Sequence, residues 1–332
     1  MYGKLSIATN NILSIHAMEE ILAKISASGK TLKGVLEGNI GAGKSSVVDI
    51  FNSIDDVKAV QESVKIWEEV GILTDFYKDP KKYGLLFQSL AFVTRLASSA
   101  QASDKKITIS ERSVWADRYC FAENLAEDGT ISEKAIKIYQ IWHRVLINGH
   151  LDKTVPDVII YVRASPETCK RRQEIRARKS EDVIPLDYFR KLHDKHEEWL
   201  MSDDNWNPLS IGIPIYDHDS SPAPEELSPR RTKYMKNAPV FVIDIDKDYI
   251  NYEDYKIYIA GKLLEAVEKY GKTDQERKEF DSMLKEKSVF PDETEIIDFV
   301  RQLFAMYNTT TSRCSADNTA LPSSATQKAN VT

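Results

Sequence analysis

The chain has 332 residues, 42% of them hydrophobic and 29% charged, which allows one large domain or two modest ones and a core that needs no disulfides. A formal net charge of −6 argues against a broad nucleic-acid-binding surface, so any anion site has to be local. No apolar run approaches the roughly 18 residues of a membrane span, and we expect neither nucleic acid nor a membrane as a partner. The cysteines show no ligand-like spacing, which indicates a reducing compartment (Cys120, Cys169 and Cys314).

Residues 1–30 form a predicted N-terminal extension. They lack the long apolar core of a secretory signal, and they contain no arginine but two glutamates, Glu19 and Glu20, which disfavours a mitochondrial presequence. We interpret the stretch around Ile12–Ile25 as an amphipathic helix. A cytoplasmic location is the resulting expectation, with the mitochondrion as the alternative.

Residues 31–262 alternate short apolar runs with helix-compatible stretches, which is typical of βα units around a parallel sheet. The predicted strands are Lys33–Glu37, Val57–Gln61, Lys106–Ser110, Asp157–Val162 and Val240–Ile245. The predicted helices are Gly43–Phe51, Tyr83–Ser99, Ser113–Ala126, Ser132–Asn148, Pro166–Arg178 and Pro185–Met201. The sequence therefore predicts an α/β fold with helices on both faces of a five-stranded parallel sheet.

The main domain is predicted to cover residues 31–270. Within it, residues 205–239 contain six prolines and no clear period, which indicates a loop inserted before the last strand. Residues 271–307 predict a C-terminal helical extension, in which one charged helix reaches Lys287 and a second amphipathic segment covers Asp292–Tyr307. Residues 308–332 are rich in Ser, Thr, Ala and Asn and predict a disordered tail.

The strongest local motif is GNIGAGKS, which matches G-x-x-x-x-G-K-[ST] between a strand-like run and a helix-like run. Its glycines let backbone N–H groups turn toward phosphate oxygens, and the following helix adds its positive N-terminal end. Lys44 would reach the β- and γ-phosphates, and the Ser45 hydroxyl would bind Mg²⁺. The motif predicts an Mg·ATP site formed by Gly38, Asn39, Ile40, Gly41, Ala42, Gly43, Lys44, Ser45 and Ser46; the alternative is a glycine-rich turn that binds nothing.

A phosphate-binding loop alone does not specify the reaction. The chain shows neither an N-K-x-D or T-K-x-D guanine-reading loop nor a D-x-x-G after a strand, which disfavours a GTPase. It is also short for a motor. A small-molecule kinase remains, and its acceptor has to be inferred from other residues.

Three polar clusters follow in chain order near the carboxyl ends of predicted strands, where ligands of open α/β sheets bind. The first is Gln61–Trp67. The second is Ile109–Ser113, followed by Asp117 on the next helix. The third is the arginine-rich run Arg171–Arg178. These clusters are the candidates for the acceptor site.

In this order the motifs resemble the deoxynucleoside kinase family over about residues 33–204, and again near Val240. The segments that carry the resemblance are EGNIGAGKSS, QESVKIW, YKDPKKYGLLFQS, ERSVWADRYCFAEN, IIYVRASPETCKRR, IRARKSED and IPLDYFRKLHDKHEEWL. The resemblance implies a P-loop kinase fold with an arginine-rich lid. It also implies transfer of the γ-phosphate of ATP to the 5′-hydroxyl of a deoxynucleoside, and a homodimer.

The resemblance also implies residue roles. Glu62 corresponds to the general base, although the family usually has Glu-Pro where this chain has Glu62–Ser63. Arg112 corresponds to the arginine that holds the 5′-oxygen and the base carboxylate, and Glu111 to the acid that helps place Mg²⁺. Further ATP contacts are implied for the lid arginines and for one residue after the last strand (Arg172, Arg176, Arg178 and Asp246).

On the acceptor side, Tyr77 and Glu181 match the pair that grips the sugar 3′-hydroxyl, which implies a deoxyribose. The implied base pocket consists of Trp67, Gln88, Arg95, Asp117 and Phe121.

Within that pocket, Arg95 and Asp117 are the informative pair. Thymidine-accepting relatives place apolar or small residues there, whereas deoxycytidine and deoxyguanosine kinases carry Arg and Asp. Asp117 can accept from an exocyclic amino group, and Arg95 would hold Asp117 ionised and donate to a carbonyl oxygen. We therefore expect deoxycytidine and purine deoxynucleosides to be preferred over thymidine; the alternative is an ion pair that is irrelevant to specificity.

Two rival functions stay open at this point. A thymidylate-type kinase would act on a monophosphate with the same fold, but it would need an arginine for the acceptor phosphate. A catalytically inactive structural or regulatory subunit would keep the fold without turnover. The sequence also leaves the choice between ATP and UTP as the donor open.

Overall fold

The computed structural model describes residues 16–101, 103–178, 181, 184–201, 239–246 and 252–290, together with residues 292, 294 and 297. Most of the predicted proline-rich loop, most of the second amphipathic segment and all of the predicted tail therefore lie outside the described residues. The described residues up to Val289 belong to one compact unit.

All five strands of the sheet run parallel in the order β2-β3-β1-β4-β5, which confirms the predicted architecture. Their bounds lie within two residues of the predicted ones: β1 Leu32–Glu37, β2 Val57–Val60, β3 Ile107–Glu111, β4 Val158–Arg163 and β5 Val240–Asp244. The first strand, β1, lies in the middle of the sheet, with β3 and β2 on one side and β4 and β5 on the other. Because the strands are parallel, the carboxyl ends of β1, β2 and β3 lie side by side.

The helices connect these strands. They are α1 (16–27), α2 Lys44–Phe51, α3 Val64–Glu69, α4 Ile72–Lys78, α5 Pro80–Ser99, α6 Val114–Ala116, α7 Glu123–Glu127, α8 Glu133–Asn148, α9 Leu151–Thr154, α10 Pro166–Arg176, α11 Leu186–Met201, α12 Tyr252–Tyr270 and α13 Asp274–Lys287. A π-helical turn, Asp117–Ala122, joins α6 to α7. This turn, the short helices α3, α4 and α9 and the long helix α12 are absent from the predicted elements.

Several long helices begin at a residue whose side chain accepts a free backbone N–H. Asp79 caps α5 and is followed by proline, and Ser165 caps α10 in the same way. Thr273 and Glu276 form a capping box at α13. Such caps typically contribute about 1 kcal/mol each, which explains why these helix starts were predictable to within a few residues.

The core lies on both faces of the sheet. Successive side chains of a strand point to opposite faces, and in β4 Ile159 packs in one apolar cluster while Ile160 packs in the other. The first cluster joins the sheet to α5, α8 and the π-helical turn, and the second joins it to α2, α10 and α12. Helices therefore cover both faces, as predicted.

The predicted charged helix of the C-terminal extension is present as α13. Its Arg277 forms an ion pair with the fully buried Asp157, and Lys272 contacts the same carboxylate at 2.8 Å. The backbone N–H of Lys33 donates to Asp157 Oδ2 at 2.7 Å. These contacts attach α13 to the amino ends of β1 and β4, opposite the carboxyl ends where the polar clusters lie.

No helix among the described residues is both long enough and apolar enough to span a bilayer.

Candidate functional site

Two glycines of the loop between β1 and α2 lie against backbone atoms of other elements. Gly38 and Gly41 have positive φ angles of 147° and 71°. A Cβ atom would lie 2.4 Å from the backbone oxygen of Val162 at the first position and 2.2 Å from that of Cys169 at the second. Because these neighbours are backbone atoms of β4 and α10, only glycine lets the loop lie this close to them.

Lys44 is buried at the start of α2. Its Nζ donates to the carbonyl oxygens of Asn39 at 2.7 Å and Gly38 at 3.1 Å, so the loop folds back over the ammonium group. Burial, together with repulsion from Arg112, lowers the pKa of Lys44 to about 8. Lys44 forms no ion pair with another described residue, and a buried cation of this kind is suited to an anionic ligand such as a triphosphate.

Ser45 Oγ donates to Glu111 Oε1 at 3.1 Å, so the two predicted metal-binding residues are neighbours. Both supply hard oxygen ligands, and Mg²⁺ commonly binds through one or two protein oxygens, several waters and substrate phosphates. The donor set therefore fits a nucleotide-bound Mg²⁺. Among the described residues no group of three or more His, Cys, Asp or Glu side chains could hold a metal ion without such a ligand.

Glu62 follows β2 and lies beside Arg112, which follows β3. The Glu62 Oε1 atom is 3.3 Å from Arg112 Nε and accepts a hydrogen bond of 3.1 Å from Arg95 Nε. Burial alone would raise the pKa of Glu62, but attraction to Arg95 and Arg112 outweighs it and lowers that pKa. The carboxylate is therefore ionised near neutral pH.

The backbone of Arg112 is in the left-handed region, with a φ of 63°. Its N–H donates to the Leu36 carbonyl at 2.9 Å, and the next residue, Ser113, donates its own N–H to Glu37 Oε1 at 2.8 Å. These bonds anchor the turn after β3 to the end of β1. A non-glycine residue in this conformation costs about 1–3 kcal/mol, so the surrounding hydrogen bonds are what hold the arginine beside Glu62.

Arg95 forms ion pairs with both Asp117 and Glu62. Arg95 comes from α5, and Asp117 is the fully buried first residue of the π-helical turn. The predicted Arg95–Asp117 pair is therefore present in the structure, but Asp117 does not line the cavity, because Arg95 lies on its cavity side. The contact between Arg95 and Glu62 was not predicted.

Aromatic rings surround this ion cluster. The Arg95 guanidinium lies 5.3 Å from the Trp67 ring and 5.4 Å from the Phe121 ring. Gln88 is buried on α5, and its Oε1 atom has no hydrogen-bond partner among the described residues. An apolar wall with one free amide oxygen is suited to a flat ring with a polar edge.

At the lid, Arg178 Nη1 contacts Glu181 Oε1 at 2.7 Å, and Arg176 pairs with the same carboxylate. Arg172 Nη2 donates to the Ile245 carbonyl at 2.8 Å. Tyr77 is buried in the same region, and burial, reinforced by its neighbour Tyr188, raises its pKa well above the usual value.

A single cavity of about 730 Å³ connects the phosphate loop with the aromatic wall. The predicted site residues that line it are Ile40, Gly41, Gly43, Lys44, Ser45, Ser46, Glu62, Trp67, Tyr77, Gln88, Arg95, Glu111, Arg112, Phe121, Arg172, Arg176, Arg178 and Glu181. Those that do not line it are Gly38, Asn39, Ala42, Asp117 and Asp246. Asp246 instead accepts hydrogen bonds from the Ser165 N–H and hydroxyl and holds the start of α10.

Other cavity-lining residues were not predicted, among them Phe76, Phe87 and Tyr188. Phe76 and Phe87 stack with ring centroids 4.9 Å apart, one from α4 and one from α5. The aromatic residues of the segment DFYKDPKKYGLLFQS were the available signal, but an aromatic residue on a helix is more often part of the core.

The family model described as deoxynucleoside kinase matches residues 35–268. Human deoxycytidine kinase is 36% identical over 251 residues, which cover 68% of this chain and 88% of that relative. The Bos taurus deoxycytidine kinase is 31% identical over 256 residues, covering 69% and 90%. The mitochondrial deoxyguanosine kinase of Xenopus laevis is 30% identical over 240 residues, covering 65% and 82%. The matched range of the family model contains every residue that lines the cavity.

Proposed function

Since this chain belongs to the deoxynucleoside kinase family, we propose that it transfers the γ-phosphate of ATP to the 5′-hydroxyl of deoxycytidine and purine deoxynucleosides in preference to thymidine. One observation carries the proposal. The Glu62 carboxylate lies between two arginines in the same cavity as the phosphate loop and its Lys44. That cavity therefore offers a place for a triphosphate at one end and for an uncharged acceptor at the other.

In the proposed reaction Glu62 accepts the proton of the 5′-hydroxyl as its oxygen attacks the γ-phosphorus. A new P–O bond forms, the bond between the γ-phosphorus and the bridging oxygen breaks, and ADP leaves. Arg112 holds Glu62 and the attacking oxygen, while Lys44 and the lid arginines stabilise charge on the transferring group (Arg172, Arg176 and Arg178). When bound, Mg²⁺ neutralises phosphate charge, and Ser45 and Glu111 are the residues that would hold it.

The proposed acceptor is a deoxynucleoside because Tyr77 and Glu181, the pair that the resemblance implies for a 3′-hydroxyl, line the same cavity as Glu62. For the base, Gln88 supplies a free amide oxygen and Arg95 supplies N–H donors. Asp117 Oδ2, which has no hydrogen-bond partner among the described residues, can accept from an exocyclic amino group once Arg95 shifts and keeps its ion pair with Oδ1. Thymine would place O4 against this carboxylate, and an unpaired buried polar group costs roughly 1–3 kcal/mol.

An initial-rate panel tests the proposal. It uses Mg·ATP with deoxycytidine, deoxyadenosine, deoxyguanosine and thymidine, with thymidine monophosphate as the rival acceptor and UTP as the rival donor. We expect turnover of the first three nucleosides, weak use of thymidine and no use of the monophosphate. Dominant monophosphate turnover would establish a thymidylate-type kinase instead. Binding of ATP without any turnover would establish the inactive-subunit alternative.

A homodimer, which the resemblance implies, and a cytoplasmic location are two further proposals. The molar mass in solution, measured by light scattering, tests the first: we expect twice the 37.8 kDa of one chain. Imaging of the tagged full chain tests the second, and a mitochondrial signal would contradict it.

A further inference from the structure

Arg95 lies between two carboxylates that have different proposed tasks. Its Nη1 pairs with Asp117, while its Nε and Nη2 both donate to Glu62 Oε1. Arg95 and Asp117 are almost wholly buried, and Glu62 is nearly so. The side chain proposed to recognise the base is therefore bound to the side chain proposed to take the proton.

This contact affects what Glu62 can do. Oε1 already accepts two hydrogen bonds from Arg95 and lies 3.3 Å from Arg112 Nε. The negative charge of a carboxylate is shared between its oxygens, so donors on Oε1 also weaken Oε2 as a proton acceptor. A carboxylate held by two guanidinium groups is a weaker base than one held by Arg112 alone.

Release of Glu62 would leave neither charge unpaired. Asp117 stays beside Arg95 from the π-helical turn, and Arg112 stays beside Glu62. The guanidinium also lies near the faces of Trp67 and Phe121, which can support it in more than one position. A small movement of Arg95 therefore avoids the large penalty of an unpaired buried ion.

We propose that Arg95 is a latch: it restrains Glu62 until a nucleobase engages the Arg95 guanidinium, so that base recognition activates the proton acceptor. This inference rests on the proposed function of the same site. A base with a carbonyl or ring-nitrogen acceptor takes N–H donors of Arg95, and Glu62 then keeps only its contact with Arg112. Arg95 is in this scheme a positioning residue for Glu62.

The latch predicts opposite effects of one substitution on two acceptors. Deoxycytidine carries a base, whereas 1,2-dideoxyribose keeps the 3′- and 5′-hydroxyls without one. We expect Arg95→Met to lower kcat/KM for deoxycytidine, because a base contact is lost. The same substitution is expected to raise kcat for 1,2-dideoxyribose by about tenfold, the worth of one charge-assisted hydrogen bond. A purely structural role of Arg95 would lower both.

Arg118→Met is the matched control, because Arg118, in the π-helical turn, is about as buried as Arg95 but pairs with Glu123 and does not line the cavity. It is expected not to raise turnover of the base-free sugar. The higher kcat of Arg95→Met for 1,2-dideoxyribose should be lost when this substitution is combined with Glu62→Gln. If Arg95→Met fails to fold because Asp117 is left unpaired, Arg95→Met with Asp117→Leu removes both charges and is expected to give the same gain.

The outcomes separate the latch from the reaction. The latch alone is overturned if the wild type phosphorylates deoxycytidine and the Arg95 variants turn over both acceptors more slowly or at an unchanged rate. A wild type that phosphorylates no deoxynucleoside would contradict the proposed function and the latch with it. If Arg95→Met still raises the turnover of 1,2-dideoxyribose when Glu62 is replaced by Gln, the latch is also overturned, because the gain would then not come from the release of Glu62.

Discussion

Two of the buried ion clusters among the described residues lie at opposite ends of the sheet. The amino-end cluster consists of Asp157, Lys272 and Arg277. The carboxyl-end cluster consists of Glu62, Arg95, Arg112 and Asp117. Each cluster has two basic side chains, but the two differ in whether all their polar atoms have hydrogen-bond partners.

In the amino-end cluster the central carboxylate has no capacity left for a ligand. Asp157 accepts from two cations and from the backbone N–H of Lys33, and it lines neither the large cavity nor a second cavity of about 330 Å³ that Arg277 borders. The carboxyl-end cluster lies against the large cavity, and Arg112 Nη1 and Asp117 Oδ2 lack hydrogen-bond partners among the described residues. Buried polar atoms without partners are costly unless a ligand or water completes them. Buried charge alone therefore does not mark a functional site; incomplete hydrogen bonding beside a cavity does.

The largest expected effect is on catalysis. Glu62→Gln keeps the shape of the side chain but removes the proton acceptor, so we expect kcat to fall by about 10²- to 10⁴-fold. Initial rates with deoxycytidine measure this, and thermal unfolding of the same samples checks the fold. Asp157→Asn is the matched control in the amino-end cluster, and a comparable fall in its kcat would break the distinction between the two clusters.

Asp157→Asn is expected to act on stability. Removal of one partner of a buried ion pair costs about 3–5 kcal/mol, because Lys272 and Arg277 would remain beside a neutral group. Chemical denaturation should show that loss in the free energy of unfolding. If the loss stays below about 1 kcal/mol, the value typical of exposed pairs, then the cluster does not hold α13 to the domain.

A smaller effect is expected on specificity. Asp117→Ala with Arg95→Met removes the polar base contacts, so thymidine should gain on deoxycytidine by roughly one to two decades in relative kcat/KM. Competition between the two nucleosides in one reaction measures the ratio. An unchanged substrate ranking would mean that the Arg95–Asp117 pair has a structural role, like the amino-end cluster, and does not determine specificity.

The smallest expected effect is on the pH dependence of stability. Burial lowers the pKa of His143 and His196 to about 3 each, with repulsion from Arg118 and Arg112 respectively as the next cause. The unfolded chain therefore binds protons at pH values where these folded groups stay neutral, and stability falls as the pH drops from about 6.5 toward about 3. The slope is at most about 1.4 kcal/mol per pH unit for each histidine.

Denaturation curves at pH 7, 6 and 5 measure this slope, and His143→Gln or His196→Gln should each flatten it. His196 packs edge-to-face on Phe121 at 6.3 Å, so its effect reports on the wall of the carboxyl-end cluster. If the pH dependence of the free energy of unfolding is unaltered in both variants, the acid sensitivity comes from carboxylates and not from these histidines.

The glycine-rich loop between β1 and α2 could be predicted from eight consecutive residues, because its geometry depends on local glycines and on the helix that follows. The strand bounds were predicted within two residues for a similar reason: apolar runs between turns are a local property. The family resemblance then indicated Glu62, Arg112 and Gln88, and the structure places all three on one cavity.

Contacts between distant parts of the chain were not predictable in this way. Glu62 and Arg95 are separated by 33 positions, and Asp157 and Arg277 by 120. No local pattern reports how α5 lies against the end of β2, where α13 docks, or that Arg95 lies between Asp117 and the cavity. Residue type and spacing specify what each segment can bind, whereas the packing of helices against the sheet specifies which charges meet, because that packing depends on side chains from several segments at once.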